Sequence, residues 1–135
     1  MTLGDGTILK VEELPHNPTY WDLVQAGKWE AHTVAAIQQL LGPGSVMLEI
    51  GGWIGLTASM AAAQGAEVHS YEPDPHALTK FRRHMEMNPR LAERITLHDQ
   101  AVATRSGQAS IWSSALGDST ASLLKSRGDT RRSRR

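Results

Sequence analysis

Hydrophobic residues in the first third of this 135-residue chain recur at helical spacing. Val34, Ile37 and Leu41 fall on one face of a helix, and the Gly42-Pro43-Gly44 turn ends it. The elements predicted in this part are a strand at residues 7–11 and helices at about residues 18–26 and 30–41. These elements precede the part of the chain in which the pattern changes.

From residue 45 onward, short apolar runs alternate with helical segments. Strands are predicted at residues 45–50, 67–71 and 94–98, with helices at about residues 56–64 and 74–87 between them. Two further short strands are predicted at residues 101–103 and 108–112. The order strand, glycine loop, helix, strand, helix, strand predicts an α/β fold. It is the N-terminal half of a Rossmann-like, doubly wound parallel sheet, and it is incomplete.

Composition fits one small globular domain, with 40% hydrophobic and 21% charged residues. The absence of cysteine excludes disulfides, thiolate zinc sites and cysteine catalysis. It agrees with a cytoplasmic location, which is the location we expect. No signal peptide and no membrane-spanning segment are predicted, so we expect no membrane partner.

The formal net charge of zero conceals an uneven distribution. Residues 125–135 contain six basic residues and one acidic residue, and their composition predicts a disordered tail. The rest of the chain has eight basic and thirteen acidic residues, so no nucleic-acid partner is expected. None of the six histidines shows the spacing of a metal-ligand set or a catalytic triad, and no metal site is predicted.

A glycine loop joins the strand at residues 45–50 to the helix that follows it. Gly51, Gly52 and Gly55 lie there, and Glu49 precedes them. In open α/β sheets ligands bind at this edge, where glycines let the backbone approach them. Glu72 follows the next strand, and a carboxylate there can accept hydrogen bonds from a ribose diol. The pattern predicts a cofactor that contains a nucleoside.

The loop sequence narrows the choice of cofactor. In the dinucleotide fingerprint counted from Gly51, the second glycine would fall at Trp53, and no P-loop lysine follows. Glu49, two residues before the first glycine, better suits a cofactor with a cationic amino group and no phosphate, such as S-adenosyl-L-methionine. One alternative is an NAD-type site, which Trp53 disfavours. A second alternative is an ordinary strand–helix turn in which Glu49 and Glu72 are two surface acids.

Several motifs resemble those of FkbM-type class I methyltransferases. The run from Leu48 to Gly55 is similar to the L-D-I-G-A-N-I-G motif of that family, and the run from Tyr71 to Pro75 is similar to its F-E-P-x-P motif. Further similar stretches lie at residues 28–30, 88–89, 95–102 and 117–119. The resemblance covers roughly residues 18–124 and implies a methyltransferase of the class I fold.

The resemblance also implies roles for the site residues. Glu49 and the Gly51–Gly55 loop would hold the methionine part of S-adenosyl-L-methionine, Glu72 the ribose hydroxyls, and Asp99 would lie beside adenine. The family methylates hydroxyl groups of sugars or other small molecules. Trp53 replaces a small or amide residue of the family, so its indole would stack on the cofactor or block it. Packing is the simpler expectation for this side chain.

A second departure concerns the extent of the fold. The family continues with further strands and a substrate-side region, which this chain lacks after the third strand region, so we expect a truncated methyltransferase. The first strand would then be a sheet edge rather than the centre. The expected division is an N-terminal segment at 1–17, a partial cofactor-binding domain at 18–124 and the basic tail at 125–135.

The sequence assigns no catalytic residue, and it leaves two hypotheses for the activity. The principal hypothesis is the cofactor-binding portion of an O-methyltransferase with a small-molecule or saccharide acceptor. The alternative is a non-catalytic remnant that binds the cofactor weakly or pairs with another chain. Self-association would then use the exposed sheet edge.

Overall fold

Three parallel strands and five helices form the main body of the chain. The computed structural model describes residues 1–113, 117 and 119–123, together with the backbone of residues 130–134. Its elements are α1 (Tyr20–Gln25), α2 (Ala31–Leu40), β1 (Val46–Ile50), α3 (Leu56–Ala63), β2 (Glu67–Tyr71), α4 (Pro75–Met87), α5 (Pro89–Ala92), β3 (Ile95–His98), β4 (Ser110–Ser113) and β5 (Thr130–Arg134). None of the described helices is long and apolar enough to cross a membrane.

The main sheet has the strand order β1-β2-β3, and both pairings are parallel. Leu48 of β1 pairs with His69 of β2, and Tyr71 of β2 pairs with His98 of β3. This topology confirms the predicted partial Rossmann-like unit. It also places β1 at an edge of the sheet, as the sequence predicted.

Helices cover one face of this sheet. The alanine-rich helix α3 packs against β2 and β3, and its Ala58 and Ala61 are fully buried. Small side chains allow the helix backbone to approach the strands closely. Phe81 of α4 is also fully buried and joins the same core as Val68 and Ile95 of the sheet.

The opposite face of the sheet is largely uncovered. Val46, Leu48 and Ile50 of β1 are 68, 61 and 64% exposed, because successive side chains of a strand point to opposite faces. His69 of β2 is exposed on the same side. A parallel strand that is apolar on both sides ordinarily has both faces covered.

The N-terminal segment packs against the α/β unit. The strand predicted at residues 7–11 is wrong, since only an isolated bridge joins Thr2 to Ile8. The Asn88 side chain accepts a hydrogen bond from the Lys10 N–H and donates one to the Lys10 carbonyl. These side-chain bonds take the place of a strand ladder and fix the segment to the end of α4.

His84 provides a second attachment for this segment. Its Nε2 accepts the Glu12 N–H at 3.1 Å, and its Nδ1 donates to the Ile54 carbonyl at 2.8 Å. Burial lowers the pKa of His84, which favours the neutral imidazole that these two bonds require. The glycine loop and the N-terminal segment therefore share one anchor on α4.

The C-terminal region departs from the sequence-based expectation. Residues 101–103 form no strand, and β4 pairs antiparallel with β5 rather than with a strand before it. The prediction of disorder is wrong for residues 130–134, while residues 125–129 and 135 lie outside the described ranges. The basic composition of this segment predicted disorder wrongly, because antiparallel strand pairing uses backbone hydrogen bonds and needs no apolar side chain.

Candidate cofactor site at the strand ends

The glycine loop turns sharply at the carboxyl end of β1. The Gly51 and Gly52 N–H groups both donate to the Tyr71 carbonyl, at 2.8 and 3.2 Å, which holds the loop against the end of β2. Gly51 and Gly55 both have a φ of 83°, a conformation that glycine adopts without strain. A side chain at Gly55 would also clash with the ring of Phe81.

Gly52 allows the closest approach in this loop. A Cβ atom there would clash with Ser70 Oγ and lie 2.9 Å from both Glu49 Oε2 and the Phe81 ring. The backbone at Gly52 therefore lies directly against the polar side chains of β1 and β2. This close approach is the reason that the position requires glycine.

Glu49 is half-buried on the covered side of β1. Its Oε2 accepts the Ser70 hydroxyl at 2.5 Å, and its Oε1 accepts the Thr57 hydroxyl. Burial raises the pKa of the Glu49 carboxyl, and the two hydroxyl bonds only partly offset that rise. Within the described residues no lysine or arginine forms an ion pair with it.

Glu72 lies directly after β2, and only 5% of it is exposed. Its Oε2 accepts the Trp53 N–H at 2.8 Å, and its Oε1 accepts the Asp74 N–H at 2.7 Å. Burial raises the pKa of Glu72, and the nearby carboxylates of Asp74 and Glu49 contribute to the rise. The glycine loop and the β2 end are thus joined through this carboxylate.

Asp74 is a site residue that the sequence interpretation missed. It is the N-cap residue of α4, and its Oδ1 accepts the His76 N–H at 2.8 Å. Its Oδ2 is fully buried and has no hydrogen-bond partner among the described atoms. The acid next to Glu72 in the Glu-Pro-Asp-Pro run was the signal available in the sequence. A buried acceptor without a donor is costly, so this oxygen favours a donor group nearby.

Trp53 takes a left-handed conformation, with a φ of 47°. Its indole packs edge-on against Tyr20 at 5.2 Å, and its Nε1 donates to the Gly117 carbonyl at 2.8 Å. These contacts agree with the packing role expected for this side chain. A Cβ at Gly117 would lie 3.2 Å from His76 Cβ, so Gly117 sits between the indole and the start of α4.

Asp99 follows β3 at the same edge of the sheet. The carbonyl of the preceding residue, His98, accepts the Glu72 N–H at 3.0 Å. The Asp99 carboxylate lies 3.6 Å from Arg82 Nη2 and is about one-third exposed. The structure thus brings Glu49, Gly51, Gly52, Trp53, Gly55 and Glu72 into one connected group and puts Asp99 beside it.

A histidine pair lies outside this group, on the uncovered face. His69 Nδ1 and His98 Nε2 are 3.2 Å apart, and the His98 ring stacks on Tyr71 with centroids 4.2 Å apart. The sequence did not predict this pair, because it depends on the register of β2 and β3. Strand alternation tells which residues of one strand share a face. The register of β2 against β3 is also needed to show that His69 and His98 lie side by side.

Comparisons with known proteins yield structural likenesses only. No family model and no curated protein matches the chain. A proposed rRNA methylase from Clostridium thermocellum has a TM-score of 0.48 and 14% identity, covering 53% of this chain and 39% of that one. A proposed transferase from Pyrococcus horikoshii has a TM-score of 0.45 and 16% identity, covering 68% and 30%.

The third likeness is to a proposed exported protein from Bordetella parapertussis. It has a TM-score of 0.45 and 25% identity, covering 67% of this chain and 32% of that one. The chain therefore spans between 30 and 39% of these three structures. Their TM-scores are below 0.5, so the fold rests on the strand topology itself and the FkbM resemblance stays a prediction.

The residues present fit an adenosyl cofactor in chemistry. Two carboxylates without a basic partner in the described residues suit a cationic ligand, and the free Asp74 Oδ2 suits a hydroxyl or amine donor. Each Glu72 oxygen holds one backbone N–H and keeps capacity for a second donor. Glu72 is 5% exposed and Asp74 is fully buried, so a ligand reaches these two carboxylates only after a local opening.

Proposed function

We propose that the strand-end site binds S-adenosyl-L-methionine and that the chain is the cofactor-binding portion of an O-methyltransferase. The single observation that carries this proposal is the pair of desolvated carboxylates, Glu49 and Glu72, beside the glycine loop. The predicted acceptor is a hydroxyl group of a small molecule or sugar.

Charge is the main support for a cationic cofactor. Burial has raised the pKa of both carboxyls, and in the described residues neither has a lysine or arginine to neutralise it. A bound cation would favour the ionised carboxylates and recover part of their desolvation cost. A pyrophosphate would bring negative charge to the same place, which disfavours the dinucleotide alternative.

Each residue has a specific proposed role in holding the cofactor. Glu49 and the Gly51–Gly55 loop hold the methionine part. Glu72 and Asp74 accept the ribose hydroxyls, and Asp99 lies beside adenine. The bound cofactor supplies an electrophilic methyl group on its sulfonium sulfur. The described residues contribute binding and orientation, and positioning accounts for much of the rate in such transfers.

Trp53 controls access in this proposal. Its indole bonds to the Gly117 carbonyl, and Gly117 also contacts His76 at the start of α4. We infer that this contact shields the buried Glu72 carboxylate, so that the hydroxyls of a ribose reach it when the contact opens. The free energy of that opening reduces the apparent affinity for the cofactor, because only the fraction of molecules in the open state can bind it.

Calorimetric titration with S-adenosylhomocysteine and NAD⁺ tests the cofactor. We expect S-adenosylhomocysteine to bind and NAD⁺ not to bind. Glu72→Gln should weaken binding about tenfold or more, because the substitution replaces one carboxylate oxygen, a hydrogen-bond acceptor, with an amide NH₂ group, which only donates. Glu67→Gln, which changes an exposed carboxylate on β2, the strand that ends just before Glu72, is the control. Equal binding by both variants, or a preference for NAD⁺, would overturn the proposal.

The acceptor is tested separately with S-adenosyl-L-methionine labelled at the methyl group. Incorporation of label into a panel of sugars and hydroxylated small molecules is the expected result. A second candidate function is binding without turnover, together with pairing to another chain. The open edge of β1 favours this alternative, and cofactor binding without incorporation of label would select it.

A further inference from the structure

The open edge of β1 has a self-complementary pattern of backbone groups. The Glu67 N–H donates to the Ser45 carbonyl and the Gly51 N–H to the Tyr71 carbonyl, so the odd-numbered residues face β2. Val46, Leu48 and Ile50 therefore point their N–H and C=O groups away from the sheet. The described residues provide no strand beside β1.

The same three residues carry the exposed apolar side chains of β1. Val46, Leu48 and Ile50 are all more than 60% exposed on the uncovered face. The strand Val46–Ile50 contains no proline, no lysine and no bulge. The carboxylate of its one charged residue, Glu49, is held by Ser70 and Thr57 on the covered face, away from the exposed apolar side chains. Water contacts the backbone edge and the apolar strip together.

We propose that two copies of this chain associate through antiparallel pairing of β1 with β1 about a twofold axis at Leu48. In this register Val46 faces Ile50 of the second copy, and Leu48 faces its own equivalent. Each of the three pairs exchanges two hydrogen bonds, so all outward backbone groups of β1 are satisfied. The result is one continuous sheet of six strands.

Charge and symmetry favour a second copy over an unrelated strand. On the uncovered face the register joins only apolar side chains. On the other face Glu49 lies opposite Met47 of the second copy, so the two Glu49 carboxylates do not face each other. The contact is isologous and closes at a dimer. The inference does not depend on the proposed cofactor.

Sedimentation of the full chain over a wide range of concentrations tests the pairing. Leu48→Lys should weaken the dimer about tenfold or more, because the introduced ammonium groups face each other across the axis. Leu40→Lys is the matched control, since Leu40 is 77% exposed on α2. A monomer at all concentrations, or a dimer that both variants leave intact, would overturn the proposal.

A mixing experiment separates pairing from a failure to fold. A residue on the twofold axis faces its own copy, so Leu48→Lys mixed with Leu48→Glu should restore the dimer that each variant loses alone. Leu48→Cys should also form a covalent dimer under mild oxidation, whereas Leu40→Cys should not, in a chain without other cysteines. Failure of the mixture to dimerise while both variants remain folded would contradict the register. Association into larger species without a discrete dimer would also contradict it.

Discussion

The two faces of the three-stranded sheet arise from the same strands but have opposite surroundings. On the covered face, Val68 and Ser70 of β2 are buried, and Glu49 is held by two hydroxyl groups. On the other face Leu48 and Ile50 are more than half exposed. Hydrophobicity alone does not explain this difference, since β1 is apolar on the exposed side as well.

The difference shows how cover determines chemistry. Where helices exclude water, polar groups such as Glu49 and Glu72 need specific partners, and their pKa values rise. On the exposed side of β1, apolar side chains lie beside the outward backbone groups of the strand edge, and both can associate with another strand. A cofactor site and an association surface can therefore arise on a single small sheet.

The largest predicted contrast concerns core packing. Phe81→Ala should lower the free energy of unfolding by about 3–5 kcal/mol, because it empties a fully buried position. Leu48→Ala should lower it by less than about 1 kcal/mol at low protein concentration, where monomers dominate. Denaturant unfolding measures both values. Equal losses would mean that the two faces do not differ as described.

The next contrast lies within the glycine loop. Gly52→Ala should cost about 2–3 kcal/mol, since the added methyl group displaces Ser70 and Phe81. Gly51→Ala should cost about 1 kcal/mol, because it meets no neighbour and adds only the strain of a φ of 83°. Chemical unfolding of both variants provides the comparison. A larger cost at Gly51 would contradict the close approach at Gly52.

These positions also show how far the sequence alone could lead. The bounds of β2 and the glycine loop were predictable, because local periodicity and turn residues determine them. The edge position of β1 was expected only from the strand order of the family that the chain resembles. The uncovered face could not be predicted from local pattern, since the pattern of β1 indicates burial on both sides. Whether a face is covered depends on the packing of distant segments.

Long-range contacts explain the remaining errors. The Asn88 bonds to Lys10 join residues 78 positions apart, and no local pattern indicates them. The Trp53 bond to Gly117 joins residues 64 positions apart, and the pairing of β4 with β5 joins residues 17 to 24 positions apart. That Asp74 Oδ2 lacks a hydrogen-bond partner could not be predicted, because its burial depends on how the glycine loop, the β2 end and α4 pack together.

A smaller effect is expected at the indole of Trp53. Trp53→Phe should cost about 1 kcal/mol of stability through the lost bond to Gly117, while it should raise affinity for S-adenosylhomocysteine up to about fivefold. Trp29→Phe is the control, because Trp29 packs against the same Tyr20. Calorimetry and thermal unfolding measure the two effects. Weaker cofactor binding by Trp53→Phe would show that the indole supports binding rather than restricts it.

The smallest predicted effect concerns pH. Burial raises the pKa of Glu49 in the folded state above its ordinary value of about 4.3, so the folded chain binds this proton more tightly than the unfolded chain. The resulting stabilisation is present at low pH and is lost as the pH rises through the folded pKa. Glu49→Gln removes this dependence.

The difference in unfolding free energy between Glu49→Gln and the original chain should therefore grow in favour of the variant as the pH rises from the ordinary carboxyl pKa through the raised folded pKa of Glu49. Glu67→Gln changes an exposed carboxylate on β2 and is the control. Denaturant unfolding at several pH values gives the difference curve. A difference that is independent of pH would show that Glu49 titrates as an ordinary carboxyl.

The central claim is that the strand-end group binds the cofactor, and backbone-amide NMR during titration with S-adenosylhomocysteine tests it most directly. The account predicts shifts at the amides of Gly52, Trp53, Glu72 and Asp99, with the amides of Leu48 and Ile8 unchanged. Shifts that are absent from these four amides, or that lie on the uncovered face instead, would contradict it.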